Sequence, residues 1–157
     1  MIDRDAFLAD NCSVARTLAV VGEKWTLLVL REAFYGVRRF DHMQRHLGCA
    51  RNVLAARLQT LVDNGVMTRR PYKEPGSRER YEYHLTDSGR QLIVAVVALM
   101  QWGDEHLADP AGPPVVVTHA GCDAPVRAVL ACDSGHRGLT ARDTAPVPGP
   151  GAIGAAS

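Results

Sequence analysis

The sequence predicts a mainly α-helical domain with one small β-hairpin, followed by a small β-prone C-terminal appendage. Three observations carry this expectation. Apolar residues recur at helical spacing through most of the first hundred positions. A strong turn signal, Lys73-Glu74-Pro75-Gly76-Ser77, separates two short β-prone runs. Seven of the nine prolines fall in the last fifty residues, which hold only three of the eighteen Lys and Arg.

The elements follow in order. Residues 12–21 carry Val14, Leu18 and Val21 on one face, and Gly22 supplies a stop. Residues 24–35 are densely apolar (Trp25, Leu27, Leu28, Val29, Leu30, Phe34) and end at Gly36, as a buried central helix would. A short helix runs from Phe40 to Leu47 and stops at Gly48. A longer one covers Arg51 to Asp63, with Leu54, Leu58 and Leu61 on one stripe and Asn64-Gly65 closing it. Val66–Tyr72 and Arg80–Leu85 read as strands. Thr86 is placed to cap a last helix over residues 87–107, with Asp87 favourable in its first turn and Pro110 barring its continuation. The main domain is therefore expected at residues 10–107 and the β-prone appendage at 108–143. A Pro/Gly/Ala-rich tail at 144–157 has the composition of a disordered segment.

Composition narrows the function. The chain of 157 residues is 46% hydrophobic and 22% charged, a soluble globular balance. Its longest apolar run, Leu92 to Met100, is nine residues, short of the ~18 a spanning helix needs. The first residues, Met-Ile-Asp-Arg-Asp, carry no apolar leader, and four scattered cysteines suit a reducing compartment, so a cytoplasmic protein is expected. The net charge of +1 hides an asymmetry. From Arg38 to Arg80, ten Lys or Arg stand against four acids, a window of +6 that leaves −5 for the rest. Such a window suits an anionic partner, nucleic acid before membrane.

Two short helices joined through Gly48 and followed by a basic hairpin form the pattern of a winged helix-turn-helix. With Leu54, Leu58 and Leu61 turned to the core, a step of about 100° per residue places Asn52, Ala56, Gln59 and Thr60 on the opposite face of the 51–63 helix. Arg51 and Arg57 lie on its flanks. Small residues let such a face enter a major groove about 12 Å wide, and amides and guanidinium groups make bidentate contacts to adenine and guanine. Arg51, Asn52, Ala56, Gln59 and Thr60 are the candidate base readers. Arg38, Arg39, Arg45, Arg57, Lys73, Arg78 and Arg80 are the candidates for backbone and wing contacts. A solvated polar face would explain the helix equally well, but not a hairpin tip lined or flanked by Arg69, Arg70, Lys73, Arg78 and Arg80 against two acids, Glu74 and Glu79.

Several segments together resemble the HxlR-type family of bacterial transcriptional regulators. They are Cys12-Ser-Val-Ala-Arg-Thr-Leu, Gly22-Glu-Lys24-Trp25-Thr26-Leu-Leu, Arg38-Arg39-Phe40, Arg51-Asn52-Val-Leu-Ala-Ala-Arg57-Leu and Tyr83-His-Leu-Thr86-Asp-Ser-Gly89. The match holds one register over about residues 11–107. It implies a homodimer on a pseudo-palindromic operator, with the recognition helix in the major groove and the wing on adjacent backbone or minor groove. It also implies a dimer interface made by the first and last helices of the domain. Val14, Leu18, Leu92, Val96, Leu99 and Trp102 are the interface candidates. The last helix supports this independently, because Leu92, Val96 and Leu99 form one apolar stripe and Ile93, Val97 and Met100 a second, where a surface helix needs one. Ala50 departs from the pattern. A Ser or Thr would cap the recognition helix there, and its absence costs about 1 kcal/mol of helix-end stability.

The remaining residues have rival readings. Cys12 opens the first helix, where backbone amides favour a thiolate. In redox-responsive members of the family the matching cysteine senses oxidants, which makes Cys12 the candidate sensor; a small packed cysteine is the plainer reading. Cys49 reads as core. His119-x2-Cys122-x9-Cys132-x3-His136 can be drawn as a His2Cys2 zinc knot, but each half lacks the second cysteine of a zinc ribbon, so no metal or other cofactor is assigned. His42 and His46, four apart on the basic short helix, read as phosphate neighbours. No paired carboxylates, nucleophile–base constellation or phosphate loop suggests an enzyme. The expected partners are double-stranded DNA, a second copy of the chain, and an oxidant or small-molecule effector, with no membrane. The alternative is a ligand- or protein-binding module that uses the same scaffold without specific DNA binding.

Overall fold

The computed structural model describes residues 11–107 and 109–152. The leader reading, the first residue of the main domain (Asp10), the boundary residue Ala108 and the last five residues of the tail lie outside them. Eight elements occupy the first part of the chain. They are α1 (Ser13–Val21), α2 (Lys24–Phe34), α3 (Phe40–Leu47), α4 (Arg51–Asp63), β1 (Met67–Tyr72), β2 (Arg80–Leu85), α5 (Asp87–Gln91) and α6 (Ile93–His106). Two short strands follow, β3 (Leu130–Ala131) and β4 (Arg137–Leu139). The chain divides into two compact units. One comprises residues 17–96; the other is formed by the described residues before Thr17 and after Val96.

The first unit is a winged helix-turn-helix. Leu30, Met43, Leu54, Leu58, Leu61 and Met67 are fully buried and tie α2, α3, α4 and β1 together. Each such side chain contributes roughly 1.5–3 kcal/mol on leaving water. The apolar stripe of α4 thus sits where its spacing places it. The turn between α3 and α4 depends on Gly48, whose φ of 66° lies in the left-handed region that a Cβ disfavours. Cys49 is buried, as a core residue should be. The α4 N-terminus is capped by Ala50 backbone alone, with no side-chain hydrogen bond.

β1 and β2 pair antiparallel from Met67↔Leu85 to Tyr72↔Arg80, and Gly76 turns the chain at their tip with φ 76°. The Thr86 hydroxyl accepts from Gly89 N at 3.1 Å and donates to Gly65 O at 2.7 Å, so the helix cap also fastens α5 to the corner between α4 and β1. The single last helix expected over 87–107 is divided. Leu92 N donates back to Gly89 O at 3.2 Å, a tightened turn that ends α5 before α6 begins.

Two polar residues inside α2 were not expected. Thr26 and Glu32 are buried in a helix whose sequence reads as densely apolar. Glu32 accepts from Arg31 Nη2 at 2.8 Å and lies 2.9 Å from His46 Nδ1, which compensates the burial of its charge. His46 is thus turned toward an internal carboxylate by one of its nitrogens.

In the second unit, Thr118 and Pro125 form a bridge closed by hydrogen bonds from His119 N to Ala124 O and from Val126 N to Val117 O. β3 and β4 form a second hairpin, and Ala128 N donates to Gln101 Oε1 at 2.8 Å. The β-prone character expected of the appendage takes the form of these two short hairpins. Residues 144–152 carry no helix or strand.

Candidate nucleic-acid interface

α4 presents the face its periodicity predicts. Asn52, Ala56 and Gln59 are exposed, joined by Ala55, while Thr60 is half-buried. Local bonds already engage part of this face. The Gln59 amide donates to Asp63 Oδ1 at 2.6 Å, and Thr60 Oγ1 donates to Ala56 O at 3.0 Å. Arg51 is exposed at the N-terminal end with its guanidinium 4.7 Å above the Phe40 ring, which holds the charge beside α3. Arg57 is half-buried, and its buried Nε finds no hydrogen-bond partner among the described residues.

The wing carries exposed Arg69, Arg70, Lys73, Arg78 and Arg80. Arg69 stacks on Tyr81 at 4.3 Å, and Arg80 faces Asp41 at 3.7 Å. Between wing and helices lies an open cleft of about 800 Å³, lined by Phe40, Arg51, Tyr72, Arg78, Arg80 and Tyr81 among others. Arg38 and Arg45 are exposed on the same unit.

Arg39 stands apart from the other cations. Its Nε donates to Glu82 at 3.2 Å, its Nη1 to Glu74 at 2.7 Å, and its guanidinium lies 4.4 Å over Tyr72. Its backbone also bridges Glu82, while Tyr83 N donates to Arg38 O at 2.8 Å. One residue ahead of α3 therefore grips both strands of the wing and its tip. The hydrogen bond to Glu82, then that to Glu74, raises the Arg39 pKa above its ordinary value. Glu82 is held below the usual carboxylate range, first by Arg39 and with help from His84, against the cost of burial. Burial raises the Tyr83 hydroxyl, with Arg69 opposing. The sequence marked Arg39 as a candidate for backbone and wing contacts; the acids Glu74 and Glu82 and the ring of Tyr72 on the hairpin were the available signal for its partners.

The interface candidates separate by exposure. Val14 and Leu18 on α1 are exposed, as are Leu99 and Trp102 on α6, the last at 57%. Leu92 is half-buried, and Val96 is buried within its own chain at 6%. Cys12 is exposed immediately before α1, and its carbonyl accepts from Arg16 N. No helix of the described residues is long and apolar enough to cross a membrane.

Comparison with known proteins agrees with this geometry. The family described as HxlR-like helix-turn-helix matches residues 20–110. The chain is 50% identical over 139 residues to the uncharacterised HTH-type transcriptional regulator Rv3095 of Mycobacterium tuberculosis, covering 88% of this chain and 87% of that protein. Among solved structures it is similar to PA1607, a proposed transcription factor, with a TM-score of 0.77 and 39% identity over 88% of this chain and 96% of the other. It is also similar to the redox regulator HypR in its reduced form, with a TM-score of 0.54 and 28% identity over 60% of this chain and 92% of the other.

Proposed function

The chain belongs to the HxlR-like helix-turn-helix family and is a transcriptional regulator with a helix-turn-helix domain, and from that premise we propose that it acts as a homodimer on a pseudo-palindromic DNA operator. The observation that carries this reading lies within one unit. Arg51 at the start of α4 and Arg78 and Arg80 of the wing line one open cleft, and the exposed Asn52 and Gln59 lie on the same helix as Arg51. Asn52 and Gln59 read adenine edges and Arg51 reads guanine or phosphate, with Ala56 and Thr60 shaping the contact surface. Lys73, Arg78 and Arg80, with Arg38, Arg45 and Arg57, neutralise backbone phosphates. Arg39 holds the wing at its angle. The exposed Val14, Leu18, Leu99 and Trp102, together with the half-buried Leu92, supply the dimer contact.

An oxidant or small molecule is the input. Cys12 is the candidate thiol for it, since it is exposed at a helix start and the similar HypR is a redox regulator. The domain at 10–107 binds DNA and pairs with its copy, and the appendage at 108–143 is carried behind it. Footprinting on the DNA flanking the chain's own gene tests the reading. A protected, two-fold symmetric site is expected. Neutralising six to ten phosphates should lower affinity by ~10³–10⁵ between 50 and 200 mM salt. An absence of any protected site, with ligand affinities that ignore salt, would favour a binding module on the same scaffold.

A further inference from the structure

Two of the four cysteines meet a histidine in the same way, on the two hairpin turns of the second unit. Cys122 Sγ lies 3.3 Å from His119 Nδ1, and Cys132 Sγ lies 3.2 Å from His136 Nδ1. All four side chains are exposed. In the first turn Gly121 N–H points at His119 Nδ1 at 3.3 Å. With its proton on Nε2, the ring presents the Nδ1 lone pair to this N–H and to the thiol. The turn is built for this placement. His119 O accepts from both Cys122 N and Asp123 N, and Asp123 adopts a φ of 55°. A Cβ at Gly121 would stand 2.8 Å from His119 Cε1, so glycine is what lets the ring lie over the turn. In the second turn Cys132 N donates to His136 O at 3.1 Å, which brings the two residues together across β3 and β4.

We infer that the two turns form a pair of imidazole-assisted thiols that capture soft carbon electrophiles of the α,β-unsaturated carbonyl class. An imidazole nitrogen within reach of a thiol can take its proton as the sulfur attacks. In the step, the Sγ–H proton passes to Nδ1 and the thiolate adds to the electrophile's β carbon, forming a C–S bond. The carbon–carbon π pair moves to the carbonyl as an enolate. The imidazolium then returns the proton to the α carbon, so the addition needs no external oxidant or reductant. Cys49, buried in the other unit, has no such access. A shared metal does not explain the pairs, because among the described residues no three His, Cys, Asp or Glu side chains gather as a metal site would require.

The test uses the full chain and limiting N-ethylmaleimide at pH 7, with labelling rates at each cysteine read by mass spectrometry. Cys122 and Cys132 should label at least ten-fold faster than Cys49. His119→Gln should slow Cys122 about five-fold or more and leave Cys132 unchanged, while His136→Gln should do the reverse. Gly121→Ala, which displaces the ring without removing it, should slow Cys122 as His119→Gln does. This reciprocity guards against misfolding, since unfolding would break both pairs together. Rates indifferent to the histidine variants would overturn the inference. So would one tightly bound zinc ion per chain whose removal is needed before either thiol reacts.

Discussion

Gly89 offers a substitution on which helix propensity and tertiary contact disagree in sign. It lies within α5, where replacing glycine by alanine ordinarily stabilises a helix by about 1 kcal/mol. A Cβ at this position, however, would stand 2.1 Å from Val66 O and 3.2 Å from Leu85 Cδ2. The obstructing atom is backbone, so α5 must retreat by roughly 1 Å to restore an ordinary contact. That retreat pulls on every bond that docks the helix. Thr86 Oγ1 holds Gly89 N at 3.1 Å and Gly65 O at 2.7 Å, and Thr86 N donates to Val66 O at 3.0 Å. Losing the cap costs about 1 kcal/mol and each further hydrogen bond about 1 kcal/mol more. Set against the propensity gain, Gly89→Ala should destabilise the domain by about 2 kcal/mol and lower its Tm by about 10 °C. Thermal unfolding followed by circular dichroism, at one fixed protein concentration because a dimer's Tm depends on it, measures this directly. Thr86→Ala should cost a similar amount, and the double variant should cost much less than the sum, because both changes remove the same bonds. A Tm for Gly89→Ala equal to or above that of the parent would refute the reasoning.

Other expectations follow from the interface. Asn52→Ala and Gln59→Ala should each cost about 1–3 kcal/mol on the operator and little on random DNA. The Gln59 effect should be the smaller, because its amide must first leave Asp63. Arg78→Ala should weaken both DNAs and reduce the log–log salt slope by about one; loss confined to the operator would reverse the assignment of reader and clamp. Arg39→Ala should weaken DNA binding only through the wing, so adding Arg78→Ala to it should cost less than it does in the parent; full additivity in binding titrations would mean that Arg39 contacts DNA itself. Leu99→Asp should yield monomers in sedimentation experiments and abolish operator binding, whereas Val96→Asp should unfold the chain because Val96 is already buried. Glu82 has a lowered pKa, so its pairing with Arg39 stabilises the fold above pH about 4.5 and is lost as pH falls through the lowered value. Glu82→Gln should therefore flatten the acid limb of the stability curve; an unchanged limb would count against that pairing.

The sequence by itself determined the local elements of the first unit and the chemical character of their surfaces. Apolar spacing with glycine stops placed α1 to α4, and the turn signal from Lys73 to Ser77 placed the two wing strands, because such signals act locally whatever the element packs against. The outward face of α4 was legible for the same reason, since Leu54, Leu58 and Leu61 leave only one side for Asn52, Ala56 and Gln59. Tertiary structure decided everything that depends on which groups meet across the chain. Arg39 and Arg78 are equivalent as letters, yet Arg39 reaches acids 35 and 43 residues away and Arg78 is exposed on the wing. Glu32 stands in a run read only for its apolar residues and is buried, with His46 and Arg31 there to compensate it. The requirement for glycine at position 89 likewise follows from one close approach to Val66. Spacing along the chain fixes which face a residue occupies, but only packing in three dimensions fixes what that face touches, and charge and steric contact act through that distance.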